Sequence, residues 1–269
     1  MRDDLGTPHL RFERRGPIGW CTIDRPGARN ALTASMYFGI RKAVDLVNGD
    51  PHLGALVITG TGDVFAPGGE MGGRHDEGTV NVAALLGMDV LPFKALRDSA
   101  APIVAAVNGV CQGGGLMTAL LSDVAVASER ATFRAPELLR GVADSWYAAV
   151  LPVHVGLARA RDLVLTARRI DAAEAERIGL IARVVPHEEL LEAAEQIARR
   201  ILETAPVARA QWKRMVNARY GWVDEPTLAA SIRADECAEG FRSFVEKRPP
   251  SWVPKEDGAL SPRSDGGRT

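Results

Sequence analysis

Apolar and polar residues alternate from Leu10 to Ile23 around the pair Gly16-Pro17, which predicts two short strands joined by a tight turn. Thr33 is then predicted to cap a helix that ends before Asp50-Pro51. Continuous apolar runs further along the chain predict buried strands at Leu56–Thr59, Ile103–Val107 and Asp123–Ala127. Strands separated by long helical connections predict an α/β core.

From Leu157 onward the pattern predicts a chain that is almost entirely helical. Between Glu188 and Leu202 apolar residues recur every three or four positions, which is the spacing of an amphipathic helix. Further helices are predicted from Pro206 to about Tyr220 and from about Glu225 to Lys247.

Two stretches carry little pattern. Gly72 to Arg97 predicts a mobile loop that leads into a helix over about Val82–Leu96. The end of the chain is polar and rich in Gly, Ser and Pro, a composition typical of disorder. We therefore divide the chain into a core over residues 1–200, a helical region over 201–252 and a disordered tail over 253–269.

Charge and cysteine content narrow the function classes. The 33 basic and 34 acidic residues nearly cancel, so composition gives no reason to expect a nucleic-acid or anionic membrane partner. No apolar run approaches the roughly 20 residues that span a bilayer. Cys21, Cys111 and Cys237 lie far apart and are odd in number, which favours neither a metal site nor a disulfide framework and fits a reducing cytoplasm.

Two glycine-rich loops follow strand-like runs. Pro67-Gly68-Gly69 lies after Leu56–Thr59, and Gly113-Gly114-Gly115 lies between Ile103–Val107 and a short apolar helix. Neither loop has the spacing of a dinucleotide fingerprint or a P-loop. Two such loops can aim two backbone N–H groups at one oxygen and form an oxyanion hole, although two tight turns of an α/β domain are the alternative.

A wider set of motifs, in order along the chain, resembles the enoyl-CoA hydratase/isomerase (crotonase) family. The resemblance runs from about Leu10 to Trp252 and rests on Pro26–Leu32 (PGARNAL), Phe65–Met71 (FAPGGEM), Ala106–Gly109 with the triple glycine, Pro136-Glu137, Leu163–Ala172, Gly179–Ile181 and Glu239–Pro249. It implies a spiral of β-β-α turns, with a C-terminal helical region that packs on the core or on a neighbouring subunit. It also implies an acyl-CoA thioester as substrate, no separate cofactor or metal, and a homotrimer or dimer of trimers.

The same resemblance implies roles for individual residues. Gly69 and Gly114 are expected to donate their N–H groups to the thioester oxygen, and Glu137 is expected to move a proton at carbon. From the residues alone, Pro136 followed by an acid is also an ordinary helix start. The expected substrate-binding residues are Ala28, Arg29, Ala66, Gly68, Met71, Met117, Trp146 and Lys247. Arg29 and Lys247 are expected near the CoA phosphates, or else are ordinary surface charges.

Met117 departs from the family pattern, because hydratases of the family place a second glutamate there. A thioether cannot activate water, so simple hydration becomes doubtful. Asp144 resembles the functional aspartate of dienoyl-CoA isomerases and aryl-CoA dehalogenases, or else caps the helix that begins near Ser145.

The leading hypothesis is therefore double-bond migration in an unsaturated acyl-CoA, with Glu137 as the proton shuttle. A hydratase, an aspartate-dependent hydrolase or dehalogenase, and a non-catalytic acyl-CoA-binding protein remain as alternatives.

Overall fold

Two β-sheets, flanked by helices, build the core of the chain. The computed structural model describes residues 3–70 and 91–253. Within these ranges the first sheet has six strands in the order β1-β2-β3-β5-β7-β10, and the second has four in the order β4-β6-β8-β9. The strands are β1 Leu10–Arg15, β2 Ile18–Ile23, β3 Ala55–Gly60, β4 Val64–Ala66, β5 Ile103–Val107, β6 Val110–Gln112, β7 Val124–Ser128, β8 Thr132–Arg134, β9 Ile170–Asp171 and β10 Arg183–Val185.

Strands alternate between the two sheets along the chain. The pairs β3/β4, β5/β6 and β7/β8 each place one strand in the first sheet and the next in the second. Within the first sheet β3 pairs in parallel with β5 and β5 with β7, and within the second sheet β4 pairs in parallel with β6 and β6 with β8. Strand β1 pairs antiparallel with β2, and β8 pairs antiparallel with β9. Repetition of this unit produces a spiral of β-β-α turns.

Both faces of the first sheet are buried, which explains its continuous apolar strands. On one face, Leu56 and Ile58 of β3 join the main core between the sheets and helices. On the other, Val57 packs with Val104 of β5 and with Ala194 on the helix that covers this face.

The helices described are α1 Ala34–Gly49, α2 Phe93–Asp98, α3 Gly114–Leu120, α4 Ser145–Val155, α5 Leu157–Thr166, α6 Ala172–Arg177, α7 Leu190–Leu202, α8 Pro206–Asn217, α9 Glu225–Arg233 and α10 Asp235–Val245. Thr33 caps α1 as predicted, since its hydroxyl accepts from the Met36 N–H at 3.2 Å. The hairpin, the three core strands and the helices from Glu188 and Pro206 are confirmed within a few residues.

Two predictions about the second half are corrected. It also contains the strands β9 and β10, which are too short to produce a periodic sequence pattern. The predicted helix from Glu225 to Lys247 is two helices, because Ala234 is extended with φ −72° and ψ 151°. The break lets α10 cross the turn before α4, where a side-chain carbon on Gly240 would lie 2.5 Å from the Arg140 backbone.

The C-terminal helices pack on the core of their own chain. Lys213 on α8 is buried and donates to the Asp123 carboxylate at 2.6 Å and to the Ala101 carbonyl at 2.7 Å. The same Asp123 oxygen accepts from the Ile103 N–H at 2.7 Å, so the ion pair of this buried lysine ties α8 to the start of β5. The domain boundary that was predicted after residue 200 falls within the last turn of α7. The predicted loop over 72–97 and the predicted tail over 253–269 lie mostly outside the described residues.

Candidate active site

The candidate residues follow three adjacent parallel strands of the second sheet. Strand β4 leads into Gly68 and Gly69, β6 leads into Gly113 and Gly114, and β8 leads into Glu137. Because β4, β6 and β8 pair in parallel, their carboxyl ends share one edge of the sheet. The topology therefore brings together residues that are far apart in sequence.

Distances at this edge are short. A side-chain carbon on Gly68 would lie 3.8 Å from the Gly114 nitrogen, and one on Gly113 would lie 3.1 Å from Glu137 Oε1. Gly68 and Gly113 have φ values of +102° and +53°, which glycine adopts without strain. The Glu137 carboxyl therefore lies next to the backbone of the second glycine loop.

Hydrogen bonds fix the orientation of the two peptides whose N–H groups are the predicted donors. The Gly68 carbonyl accepts from the Leu32 N–H at 2.9 Å, and the Gly113 carbonyl accepts from the Tyr147 hydroxyl at 2.8 Å. The carbonyl and N–H of one trans peptide point in opposite directions. The Gly69 and Gly114 N–H groups therefore point away from these partners, and neither donates a hydrogen bond to another described residue.

Buried amides and an ion pair support the first loop. The Asn30 and Asn108 side chains both donate to the Val64 carbonyl, at 2.7 and 3.2 Å, and so hold the turn that leads into β4. After the glycines, Glu70 pairs with the buried Arg25 guanidinium at 2.7 Å. These supporting roles were not predicted from the sequence. Asn30 and Asn108 lie within the family motifs, whereas no sequence pattern indicates that Arg25 pairs with Glu70.

Glu137 begins a short 3₁₀ turn over Glu137–Arg140. Although the residue is half-buried, its Oε2 is buried and has no hydrogen-bond partner among the described residues. Burial raises the pKa of this carboxyl well above its usual range, and the charge of Asp144 raises it further. A carboxyl with a raised pKa can both accept and return a proton near neutral pH.

Asp144 is the N-cap of α4, which confirms one of its two expected roles. Its Oδ1 accepts from the backbone N–H groups of Trp146 and Tyr147 at 2.8 and 3.1 Å. Burial nonetheless raises the pKa of Asp144 to about 6, while the two N–H bonds lower it. Asp144 thus acts on Glu137 electrostatically while its carboxylate is held by the helix terminus.

Buried apolar side chains lie on the helices that adjoin the site. Met117 on α3 is buried, as expected of a residue that fills the core. Trp146 packs edge-on against Phe93 with ring centroids 5.6 Å apart, and Phe93 packs edge-on against Tyr37 at 6.3 Å. Sequence reasoning missed Tyr37 and Phe93, since Tyr37 lies in the apolar stripe of α1 and Phe93 in the unpatterned stretch.

The remaining expected substrate-binding residues lie in different settings. Ala66 ends β4, where its carbonyl contacts Gly115 of the second loop. Ala28 ends a 3₁₀ turn over Pro26–Ala28, and Arg29 follows it in a left-handed conformation, exposed and 3.8 Å from Asp63. Lys247 is exposed in a left-handed turn after α10. Met71 lies outside the described residues, and the CoA-binding roles of Arg29 and Lys247 stay predictions.

Two features are absent from residues 3–70 and 91–253. In these ranges no group of three or more His, Cys, Asp or Glu side chains is arranged to hold a metal ion. Nor does any helix there combine the length and the apolar character that crossing a membrane requires.

Known proteins are similar to this chain in sequence and in fold. The profile of the enoyl-CoA hydratase/isomerase family matches residues 13–255. The chain is 34% identical over 253 residues to a probable mitochondrial enoyl-CoA hydratase of Dictyostelium discoideum, covering 89% of each chain.

Two solved structures extend the comparison. An enoyl-CoA hydratase from Mycobacterium avium subsp. paratuberculosis K-10 superposes with a TM-score of 0.78 and 26% identity, over 91% of this chain and 98% of that one. A monofunctional enoyl CoA isomerase from M. smegmatis superposes with a TM-score of 0.68 and 30% identity, over 85% and 100% of the two chains. The family and fold predicted from the motifs are thereby confirmed: the chain belongs to the enoyl-CoA hydratase/isomerase family, has the crotonase fold and is an acyl-CoA enzyme.

Proposed function

We propose that this enzyme moves the double bond of an unsaturated acyl-CoA, with Glu137 as its single proton shuttle. The observation that carries the proposal is the asymmetry of the site. One carboxyl, on Glu137, lies beside the glycine loops, while the position that holds a second glutamate in hydratases of the family is the buried Met117.

The reaction follows from these groups. In a 3-enoyl-CoA, the Glu137 carboxylate takes a proton from the carbon next to the thioester carbonyl. The electron pair moves onto the thioester oxygen, where the Gly69 and Gly114 N–H groups stabilise the dienolate. Glu137 then returns the proton to the far carbon of the former double bond, which leaves the double bond conjugated with the thioester. No water is consumed, so one carboxyl suffices.

Two alternatives are less favoured by the geometry. A non-catalytic acyl-CoA-binding protein needs no buried carboxyl beside the glycines, yet a side-chain carbon on Gly113 would lie 3.1 Å from Glu137 Oε1. A hydrolase or dehalogenase that attacks through Asp144 needs a carboxylate that can approach the acyl group, whereas two backbone N–H groups fix Asp144 Oδ1 at the start of α4.

Enoyl-CoA hydration is the second candidate, because the curated relative from Dictyostelium discoideum carries that name at 34% identity. The isomerase from M. smegmatis shows that the same fold is also named for double-bond migration. A homotrimer or dimer of trimers accompanies the proposal as an inference from the family resemblance, and a cytoplasmic location as an inference from the cysteine content.

The assay that separates the two reactions supplies 3-hexenoyl-CoA and 2-hexenoyl-CoA in parallel and identifies the products by mass spectrometry. We expect 3-hexenoyl-CoA to give its conjugated isomer at unchanged mass, and 2-hexenoyl-CoA to gain water only slowly. Addition of water to 2-hexenoyl-CoA faster than migration in 3-hexenoyl-CoA would show the protein to be a hydratase.

Met117→Glu is expected to raise the ratio of hydration to migration by roughly 10- to 100-fold, at or below the lower end of the 10²–10⁴-fold range for a well-positioned general acid/base. The new carboxyl would stand where Met117 now lies buried, so its packing cost must be separated from its chemistry. Met117→Gln is the matched control, with the same length and polarity but no titrating group. An equal ratio in the Glu and Gln variants would contradict the role assigned to position 117.

A further inference from the structure

The hydroxyl of Tyr37 lies between the two glycine loops. A side-chain carbon on Gly69 would stand 3.7 Å from this hydroxyl, and one on Gly114 would overlap it and stand 3.0 Å from Tyr37 Cζ. Helix α1 carries the ring to this place, and Phe93 packs against it edge-on. The hydroxyl thus occupies space that is open because Gly114 has no side chain, and it lies within contact distance of the Gly69 position.

The Tyr37 side chain is buried, and its hydroxyl is unpaired. Tyr37 is 4% exposed, and its hydroxyl makes no hydrogen bond to another residue within 3–70 or 91–253. Tyr147, the other buried tyrosine beside the site, donates to the Gly113 carbonyl at 2.8 Å. The hydroxyl of a buried tyrosine normally finds a partner, so an unpaired one between two predicted donors points to an acceptor supplied by a ligand.

We propose that Tyr37 donates a third hydrogen bond to the thioester oxygen of the bound acyl-CoA, beside the Gly69 and Gly114 N–H groups. The inference rests on the enolate step of the proposed function, but not on which carbon receives the proton afterwards. Glu137 accepts the substrate proton, negative charge develops on the thioester oxygen, and the tyrosine keeps its own proton throughout. Tyr37 is then a catalytic residue that contacts the reacting atoms.

The surroundings favour a neutral phenol. Burial raises the pKa of Tyr37, and the nearby carboxyls of Glu137 and Asp144 raise it further. The raised pKa keeps the hydroxyl protonated, and therefore a donor, at neutral pH. A preorganised donor of this kind stabilises developing charge without reorientation during the reaction.

Tyr37→Phe tests the proposal, with Tyr220→Phe as the matched control. Tyr220 is half-buried, and its hydroxyl faces His154 Nε2 at 3.3 Å instead of the glycine loops. The probe is 2,4-hexadienoyl-CoA, whose conjugated thioester absorbs at longer wavelength when its carbonyl is polarised. We expect Tyr37→Phe to bind the probe within threefold of wild type, to show a smaller red shift and to lose about 10- to 100-fold in kcat. Tyr220→Phe is expected to match wild type in all three.

A full red shift and full kcat in Tyr37→Phe would reduce Tyr37 to a packing residue and overturn the proposal. A red shift that depends on Tyr37 in a protein that hydrates instead of isomerising would refute the proposed double-bond migration and leave the role of Tyr37 intact. If Tyr37→Phe does not fold, a crystal structure of the wild-type protein with butyryl-CoA decides. The Tyr37 oxygen is expected within about 3.2 Å of the thioester oxygen, and a separation beyond hydrogen-bond range would overturn the proposal.

Discussion

Glu137→Gln is expected to reduce kcat on the true substrate by at least about 10³-fold while the Kd for the acyl-CoA changes little. The substitution preserves the shape of the side chain and removes the proton-accepting group, whose contribution typically amounts to about 10²–10⁴-fold. Steady-state kinetics and equilibrium titration with a saturated acyl-CoA measure the two quantities. Glu129→Gln, which changes an exposed glutamate, is the control. Full activity in Glu137→Gln would make Asp144 the leading catalytic candidate.

The raised pKa of Glu137 also predicts two pH dependences. Since the base must be ionised, kcat of the wild type should rise with pH through the raised pKa, well above 4.5. The free energy of unfolding should instead fall as pH rises. A carboxyl whose pKa is raised by folding contributes stability below its unfolded pKa, and that contribution is lost as pH rises through the folded pKa. Glu137→Gln should therefore be at least as stable as wild type at neutral pH, and Tm measured against pH should show the difference vanish below about pH 4.5.

Gly114→Ala is expected to reduce kcat by about 10²–10³-fold, the loss typical of one oxyanion-hole donor. The added methyl group would overlap the Tyr37 hydroxyl, and the ring cannot withdraw freely because it is buried against Phe93. The second loop or the ring must shift, which displaces the Gly114 N–H and costs about 1–3 kcal/mol of stability. Kinetics and chemical denaturation measure the two effects.

Two companion variants make this result specific. Gly49→Ala adds a methyl group at the end of α1 where no atom lies within 4 Å, so its stability should be unchanged or slightly higher. Tyr37→Phe removes the oxygen that the new methyl group would meet. Gly114→Ala should then cost less stability in the Tyr37→Phe background than alone, and strictly additive losses would contradict the packing conflict.

Local patterns were sufficient for much of the architecture. The alternation from Leu10 to Ile23 specifies the hairpin, and the wholly apolar runs around Leu56 and Val104 reflect a sheet that is buried on both faces. The hydroxyl of Thr33 specifies the start of α1, and the carboxylate of Asp144 that of α4. Each of these signals acts between residues close in sequence, so it can be interpreted without the fold.

Sequence periodicity did not predict the secondary structure correctly where packing between distant segments determines the backbone conformation. The break at Ala234 divides a stretch with continuous helical character, because α10 must cross the turn that carries Glu137. Strands β9 and β10 span two and three residues, and they are strands only because β8 and β7 lie beside them. Pairing partners distant in sequence leave no periodic signal in segments so short.

The sequence by itself determined the family, the two glycine loops, the acid at position 137 and the absence of an acid at position 117. The tertiary structure decided how these residues meet. Parallel pairing of β4, β6 and β8 places Gly69, Gly114 and Glu137 at one edge. The same fold buries the carboxyl beside Asp144, engages Asp144 at a helix terminus and brings the Tyr37 hydroxyl between the glycines. The physical reason is that pKa shifts and unpaired donors arise from desolvation and from neighbours in space, which linear order does not encode.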